Sequence, residues 1–255
     1  MRRLMRVLIL LACGLFAQTG QAFTLLGGTV ATKGWSNPSV QFHLNPANCP
    51  SNVVNLLEKA FDVWNSVPTA SLKVSKGRDS SVAIDQVLAG TIDVTPSVHC
   101  VTDMASLGLN ADVIPGVAMG ARYDGKGNII TGALVLNVQD GAGANINTYD
   151  SDVTINVIAH EIGHVLGLGH SASHAALMYY DASERTQASL SQDDVDGITY
   201  LYSRDEFGSD AMFGGCAAIG ASRQHAGGWL LLLGLAVPAL SFMFKRRLIE
   251  KDYNS

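Results

Sequence analysis

The chain has 255 residues, 47% of them hydrophobic, enough for one good-sized globular domain with appendages and tight for two separate cores. Its formal net charge of -5 comes without a Lys/Arg stripe or an alternation of basic and aromatic residues, so nothing in it is arranged to neutralise phosphates, and nucleic acid is set aside as a partner.

In chain order, the first segment reads as an export signal. MRRLMR is basic, VLILLACGLF is apolar and GQA at 20–22 is a small-x-small cleavage pattern, so residues 1–22 are expected to be a signal peptide and the mature chain to begin near Phe23. The apolar run of about ten residues is too short for a bilayer that needs about twenty. From 23 to 203 the chain reads as one domain without an internal repeat.

VQFHL at 40–44 is a strand candidate. Ser51 offers an N-cap, and Val53, Leu56, Leu57, Ala60, Phe61 and Trp64 recur at helical spacing, which predicts an amphipathic helix over 52–67, stopped by Pro68. SLKVS and SVAID are further strand candidates, and 86–116 reads as a long irregular stretch. VAMGARY and IITGALVLN flank DGKGN at 124–128, a strong hairpin signal. Asp124 and Asn128 also suggest calcium, but the segment supplies fewer oxygen ligands than a calcium loop needs, so the turn is the preferred reading. A helix enters at Asp150 or Ser151 through INVIAHEIGHVLG, and SQDDVDGITYLY forms another, capped by Ser191 with Asp194 at its third position.

The chemistry concentrates in HEIGHVLGLGH, residues 160–170. His160 and His164 stand one helical turn apart and can converge on one ion at about 2.0–2.1 Å. Glu161 is rotated off that face, close enough to hold a water without ligating. A helix ending near Gly167 can turn through a positive φ and bring His170 back to the same ion. Three neutral imidazoles leave a fourth position open for water, the catalytic pattern for zinc, with Glu161 taking the proton and delivering it to a leaving amine. One catalytic Zn2+ is therefore the expected cofactor.

Beyond the domain, 204–225 is rich in Gly, Ser and Ala and reads as a tether. Residues 226–244 are nineteen positions without a charge, followed at once by Lys245, Arg246 and Arg247, which predicts a transmembrane helix and a cytoplasmic tail over 245–255. Cys216 is an odd thiol just ahead of that span, a candidate for lipidation, sorting or intermolecular pairing, and the arrangement resembles bacterial C-terminal sorting signals. Cys13 leaves with the signal. Cys49 and Cys100 lie in the exported domain and are candidates for one disulfide.

HEIGHVLGLGH with Met178 in ALMYY resembles the metzincin metalloproteases, and within them the matrixins. Ser171 follows the last histidine, LSQDDVDGITYLY at 190–202 is similar to the matrixin C-terminal helix, and WNSV at 64–67 and ALVLN at 133–137 sit where that family has its first helix and last strand. The resemblance implies an α+β zincin-like fold, a twisted mixed sheet with about three helices and a cleft across the zinc. It places Met178 as an apolar floor beneath the imidazoles, makes Glu161 the general acid/base, and implies an endopeptidase acting on peptides or proteins bound along the strand 117–123; with the export signal and the apolar span, an exported, membrane-tethered enzyme is expected. The chain departs from the family in three ways. Only His43 and His99 precede the motif, so a second, structural zinc is not expected, and no cysteine-switch propeptide precedes the domain. Tyr180 stands where matrixins place proline. In the related astacins and serralysins a tyrosine at this offset ligates zinc and stabilises the oxyanion, so Tyr180 is either such a ligand or part of the pocket wall. Two alternatives stay open: a zinc-binding surface protein without turnover, against which Glu161 speaks, and a zinc hydrolase of a non-peptide amide. Nothing in the sequence indicates the oligomeric state.

Overall fold

Val40, Phe42 and Leu44 alternate with Gln41 and His43, and this period of two folds as strand β1 (Ser39–Leu44) with the three apolar side chains buried on one face. The computed structural model describes residues 23–27, 32–90, 95–181 and 186–204, all of which fall within one compact unit. The expected signal peptide, nearly all of the tether, the apolar span 226–244, the basic tail and Cys216 lie outside the described residues. Among those described, no helix is long and apolar enough to cross a membrane.

Helix α1 (Val53–Asn65) buries Val53, Leu56, Leu57, Ala60, Phe61 and Trp64, the stripe that its spacing predicts. Its N-cap differs from the expectation. Asn52, not Ser51, holds the position without a side-chain cap, and the first helical N–H, on Val53, reaches the Pro50 carbonyl at 3.0 Å instead. Strand β2 (Lys73–Asp79) follows, starting later than SLKVS suggests.

SVAID is not a strand. Its end belongs to the short helix α2 (Ile84–Ala89), because the Gln86 side chain accepts from Ala83 N at 3.1 Å and Gly90, at φ 70°, closes the turn. The stretch read as irregular conceals strand β3 (Ser97–Val101) and a 3-10 turn, Met104–Leu107. Ser97 to Cys100 are all buried, so β3 lacks the alternation that would betray it. The hairpin forms as its sequence implies, with β4 (Gly116–Tyr123) and β5 (Ile129–Asn137) antiparallel. At its tip the Asp124 carboxylate accepts from Lys126 N, Asn128 N and Asn128 Nδ2 at 2.8–2.9 Å, which builds the turn.

The strands lie in the order β2-β1-β3-β5-β4, the first four parallel and β4 an antiparallel edge. Helix α3 (Ser151–Leu166) packs against α1, β4 and β5, and α4 (Gln192–Leu201) closes the domain. The result is a mixed-sheet α+β architecture, as the resemblance to metzincins implies. Three polar aromatics tie α3 in place. Trp64 Nε1 donates to Ala159 O at 2.8 Å, Trp35 Nε1 to Val165 O at 2.9 Å and Tyr202 Oη to Leu166 O at 2.7 Å. Each satisfies a buried or partly buried indole or phenol and fixes the part of α3 that carries the histidines.

Candidate metal centre and cleft

Helix α3 is apolar through Ile155, Ile158, Ala159, Ile162, Val165 and Leu166, which anchor it in the core. His160 and His164 ride on it with ring centroids 4.8 Å apart. The helix stops at Gly167, whose φ of 114° an L side chain rarely adopts. Space forbids a side chain there as well, since a Cβ would sit 2.9 Å from Thr32 Cγ2. The turn brings His170 back, its ring centroid 4.7 Å from that of His164 and 5.5 Å from that of His160.

The donor set fits a zinc ion. One nitrogen from each ring lies within 4.8 Å of the others, so the three can bind one metal. His160 Nδ1 donates to Leu177 O at 2.7 Å and His164 Nδ1 to Leu168 O at 2.8 Å, which leaves each Nε2 as a lone pair facing inward. Nitrogens on one tetrahedral ion at about 2.05 Å stand roughly 3.3 Å apart, and His164 Nε2 and His170 Nε2 are 3.2 Å apart. Burial pushes His164 down to about 4, so its ring is neutral at pH 7, the form that ligates.

Glu161 is the next contributor. Its Oε2 accepts from Ala118 N on the edge strand at 2.8 Å. Burial raises its carboxyl to about 8, against the opposing pull of that N–H. Gly116 allows the strand to come this close, because a Cβ there would lie 3.1 Å from Val157 Cγ1 and 3.3 Å from Glu161 Cγ.

Met178 is buried beside α3, with its thioether where a side chain on Gly163 would go. The turn that carries it is held from two sides. His160 binds the Leu177 carbonyl, and the buried Asp194 carboxylate accepts from Leu177 N at 2.8 Å and Met178 N at 3.0 Å. The same carboxylate caps α4 through Ser191 N and Ser191 Oγ.

A cleft of about 580 Å³ opens beside the triad, lined by Val113, Pro115, Val153, Val157, Glu161 and Tyr180 among others. Tyr180 is 67% exposed on its wall. Its ring lies 4.5 Å from that of Tyr179, whose hydroxyl is 3.3 Å from His174 Nε2. A separate cavity of about 340 Å³, beside Cys100 and His99, includes none of the triad.

Residues 118–203 match the family model described as Matrixin. The chain carries a matrixin-like metzincin catalytic domain. Interstitial collagenase of Bos taurus is 31% identical over 183 residues, 66% of this chain and 32% of that protein. Matrilysin of Homo sapiens is 36% identical over 109 residues, 37% of this chain and 41% of that protein, and Metalloendoproteinase 1 of Glycine max is 54% identical over 48 residues, 18% and 16% of the two. The chain thus spans between a sixth and about two fifths of the length of these relatives.

The matrixin-like domain brings His160, His164, His170 and Glu161 together, sets Met178 in the turn that supports His160, and places Tyr180 at the cleft. Cys49 and Cys100 are apart from this group and form a disulfide, with Cα atoms 5.1 Å apart. Two contributors escape the sequence reading. The Ala118 N–H is a backbone donor and leaves no signature. Asp194 is legible as a helix cap, but its grip on the Met178 turn is a long-range contact without a local pattern.

Proposed function

We propose that this chain is an exported zinc endopeptidase whose catalytic domain is tethered outside the cytoplasmic membrane. The observation that carries the catalytic part is the placement of Glu161, one carboxylate between a three-imidazole cluster and the edge of a sheet, at the side of an apolar cleft. His160, His164 and His170 would hold the metal. When bound, zinc polarises a substrate carbonyl and lowers the pKa of water at its open position to about 7. A cation held by the three histidines would favour the ionised form of the neighbouring Glu161 against the burial that favours the neutral one, and that carboxylate would then accept a proton and return it to the departing amine. Strand β4 supplies the alignment: Pro115 O is taken by Asn137 N of β5, so Gly116 and the Ala118 carbonyl face outward to an extended peptide, while the Ala118 N–H is held by Glu161. Val113, Val153 and Val157 offer an apolar receptacle for one of its side chains.

Export is supported by the signal-like residues 1–22 and by the Cys49–Cys100 bond, which belongs in an oxidising compartment. The apolar segment 226–244 with its basic flank supports the tether. Deleting 226–255 should move the protein from the membrane to the soluble fraction with its peptidase activity kept, and a membrane-bound truncation would refute the anchor.

Glu161→Gln tests the mechanism. It should leave the zinc content unchanged and lower cleavage of an unfolded labelled protein by about 10²–10⁴-fold, the usual worth of a general acid/base. Activity within a few fold of the wild type would exclude the assignment.

A further inference from the structure

The three histidines are not held alike. His160 and His164 each have a backbone carbonyl on Nδ1 and are buried or partly buried. His170 is exposed, and among the described residues its ring has no such carbonyl; its ring contacts are with His164 and His160. A ligand ring without an acceptor on its second nitrogen must be aimed some other way, through its own main chain.

The structure provides that through the segment Phe23–Leu26. It runs antiparallel to the loop between the second and third histidines: Leu26 N donates to Gly167 O at 2.8 Å, Gly169 N donates to Thr24 O at 2.9 Å, and Leu25 bridges Leu168. Phe23 docks on α4, its ring centroid 5.5 Å from that of Tyr200. At the end of this strap the Thr24 hydroxyl donates to the His170 carbonyl at 2.6 Å. Gly169 is small for the same reason, since a Cβ there would collide with Thr24 Oγ1.

We propose that Thr24 is a positioning residue of the metal centre: its hydroxyl fixes the His170 peptide and so aims the third imidazole at the site that the other two define. The inference rests on the proposed zinc site. Its physical content is a reduced entropic cost of binding, because a His170 main chain already held in place leaves less motion to freeze when the metal arrives.

The test compares zinc affinity, by competition with a chromogenic chelator, for the full chain and for Thr24→Val and Thr24→Ser. Valine keeps the branched shape and loses the hydroxyl; serine keeps the hydroxyl. Thr24→Val should bind zinc about tenfold more weakly, the lower end of what an outer-shell partner contributes, and Thr24→Ser should stay within about twofold of the wild type. The unfolding midpoint of the metal-free protein, which a merely structural threonine would lower, should be nearly the same in Thr24→Val and Thr24→Ser. Equal affinity in the wild type and Thr24→Val, or an equal fall in both variants, would overturn the inference and leave the zinc site standing. A wild-type chain that holds no zinc would overturn both.

Discussion

Glu161 and Tyr180 face the same cleft, and their surroundings assign them different work. Glu161 is half-buried, with one oxygen on the Ala118 N–H, whereas Tyr180 is largely exposed and its ring packs on that of Tyr179. A largely exposed ring packed on its neighbour in the cleft lining contributes to the wall of the pocket more than to a reacting atom. Tyr180→Phe should therefore keep the turnover number within a few fold while altering the preference among peptides. A hundredfold fall in kcat with zinc retained would instead give the phenol a role in stabilising developing charge, which is worth about 2.7–4 kcal/mol for a single donor. Local chemistry made most of this site legible: the spacing of His160 and His164 is set by one helical turn, and the positive φ of Gly167 is what a sharp return to His170 demands. What spacing cannot express is the aim of each ring, which the Leu168 carbonyl sets from within the motif and Leu177 and Thr24 set from outside it.

The elements recovered from the sequence are those with a single buried face. α1 and the β4–β5 hairpin show their periods plainly, and α4 carries its capping box in Ser191 and Asp194. β3 is hidden because it is buried on both faces, and α2 because a run of Val, Ala and Ile is compatible with strand until Gln86 and Gly90 commit it to a turn of helix. The burial of β3 has a thermodynamic consequence. His99 lies within it, its Nε2 3.0 Å from Ser97 Oγ, and burial pushes it down to about 4 from an ordinary value of 6.5. The folded protein thus holds His99 neutral where the unfolded chain would protonate it. This contribution to stability is complete above pH 6.5 and is lost as the pH falls from 6.5 toward 4. The slope is at most about 1.4 kcal/mol per pH unit for one group. His164, also lowered to about 4, acts in the same direction, so the comparison must isolate His99. Denaturant unfolding of the metal-free protein between pH 7 and 5 should show a shallower loss in His99→Gln than in the wild type. Parallel curves would mean that His99 takes up its proton equally in both states.

At the scale of the whole molecule, the domain is organised around α3, which is packed on α1, gripped by Trp35, Trp64 and Tyr202, and flanked by the edge strand that faces its glutamate. The disulfide lies away from this centre. It joins the end of β3 to the turn after β1 and closes a loop with a sequence separation of 51 that contains α1, β2 and α2. A link of that length mainly restricts the unfolded chain, and in the loop-entropy account is worth about 4 kcal/mol. Cys49→Ala with Cys100→Ala should lower the unfolding free energy by roughly that amount, while zinc affinity at a temperature well below the new midpoint stays that of the wild type, because neither cysteine touches the triad or the turns that orient it. The wild type held reduced throughout unfolding should lose a comparable amount, which separates loss of the bond from loss of the sulfur atoms. A cost below about 1 kcal/mol in both cases would mean that the reduced, unfolded chain is already compact across this loop, and stability would then give no reason for the domain to require an oxidising compartment.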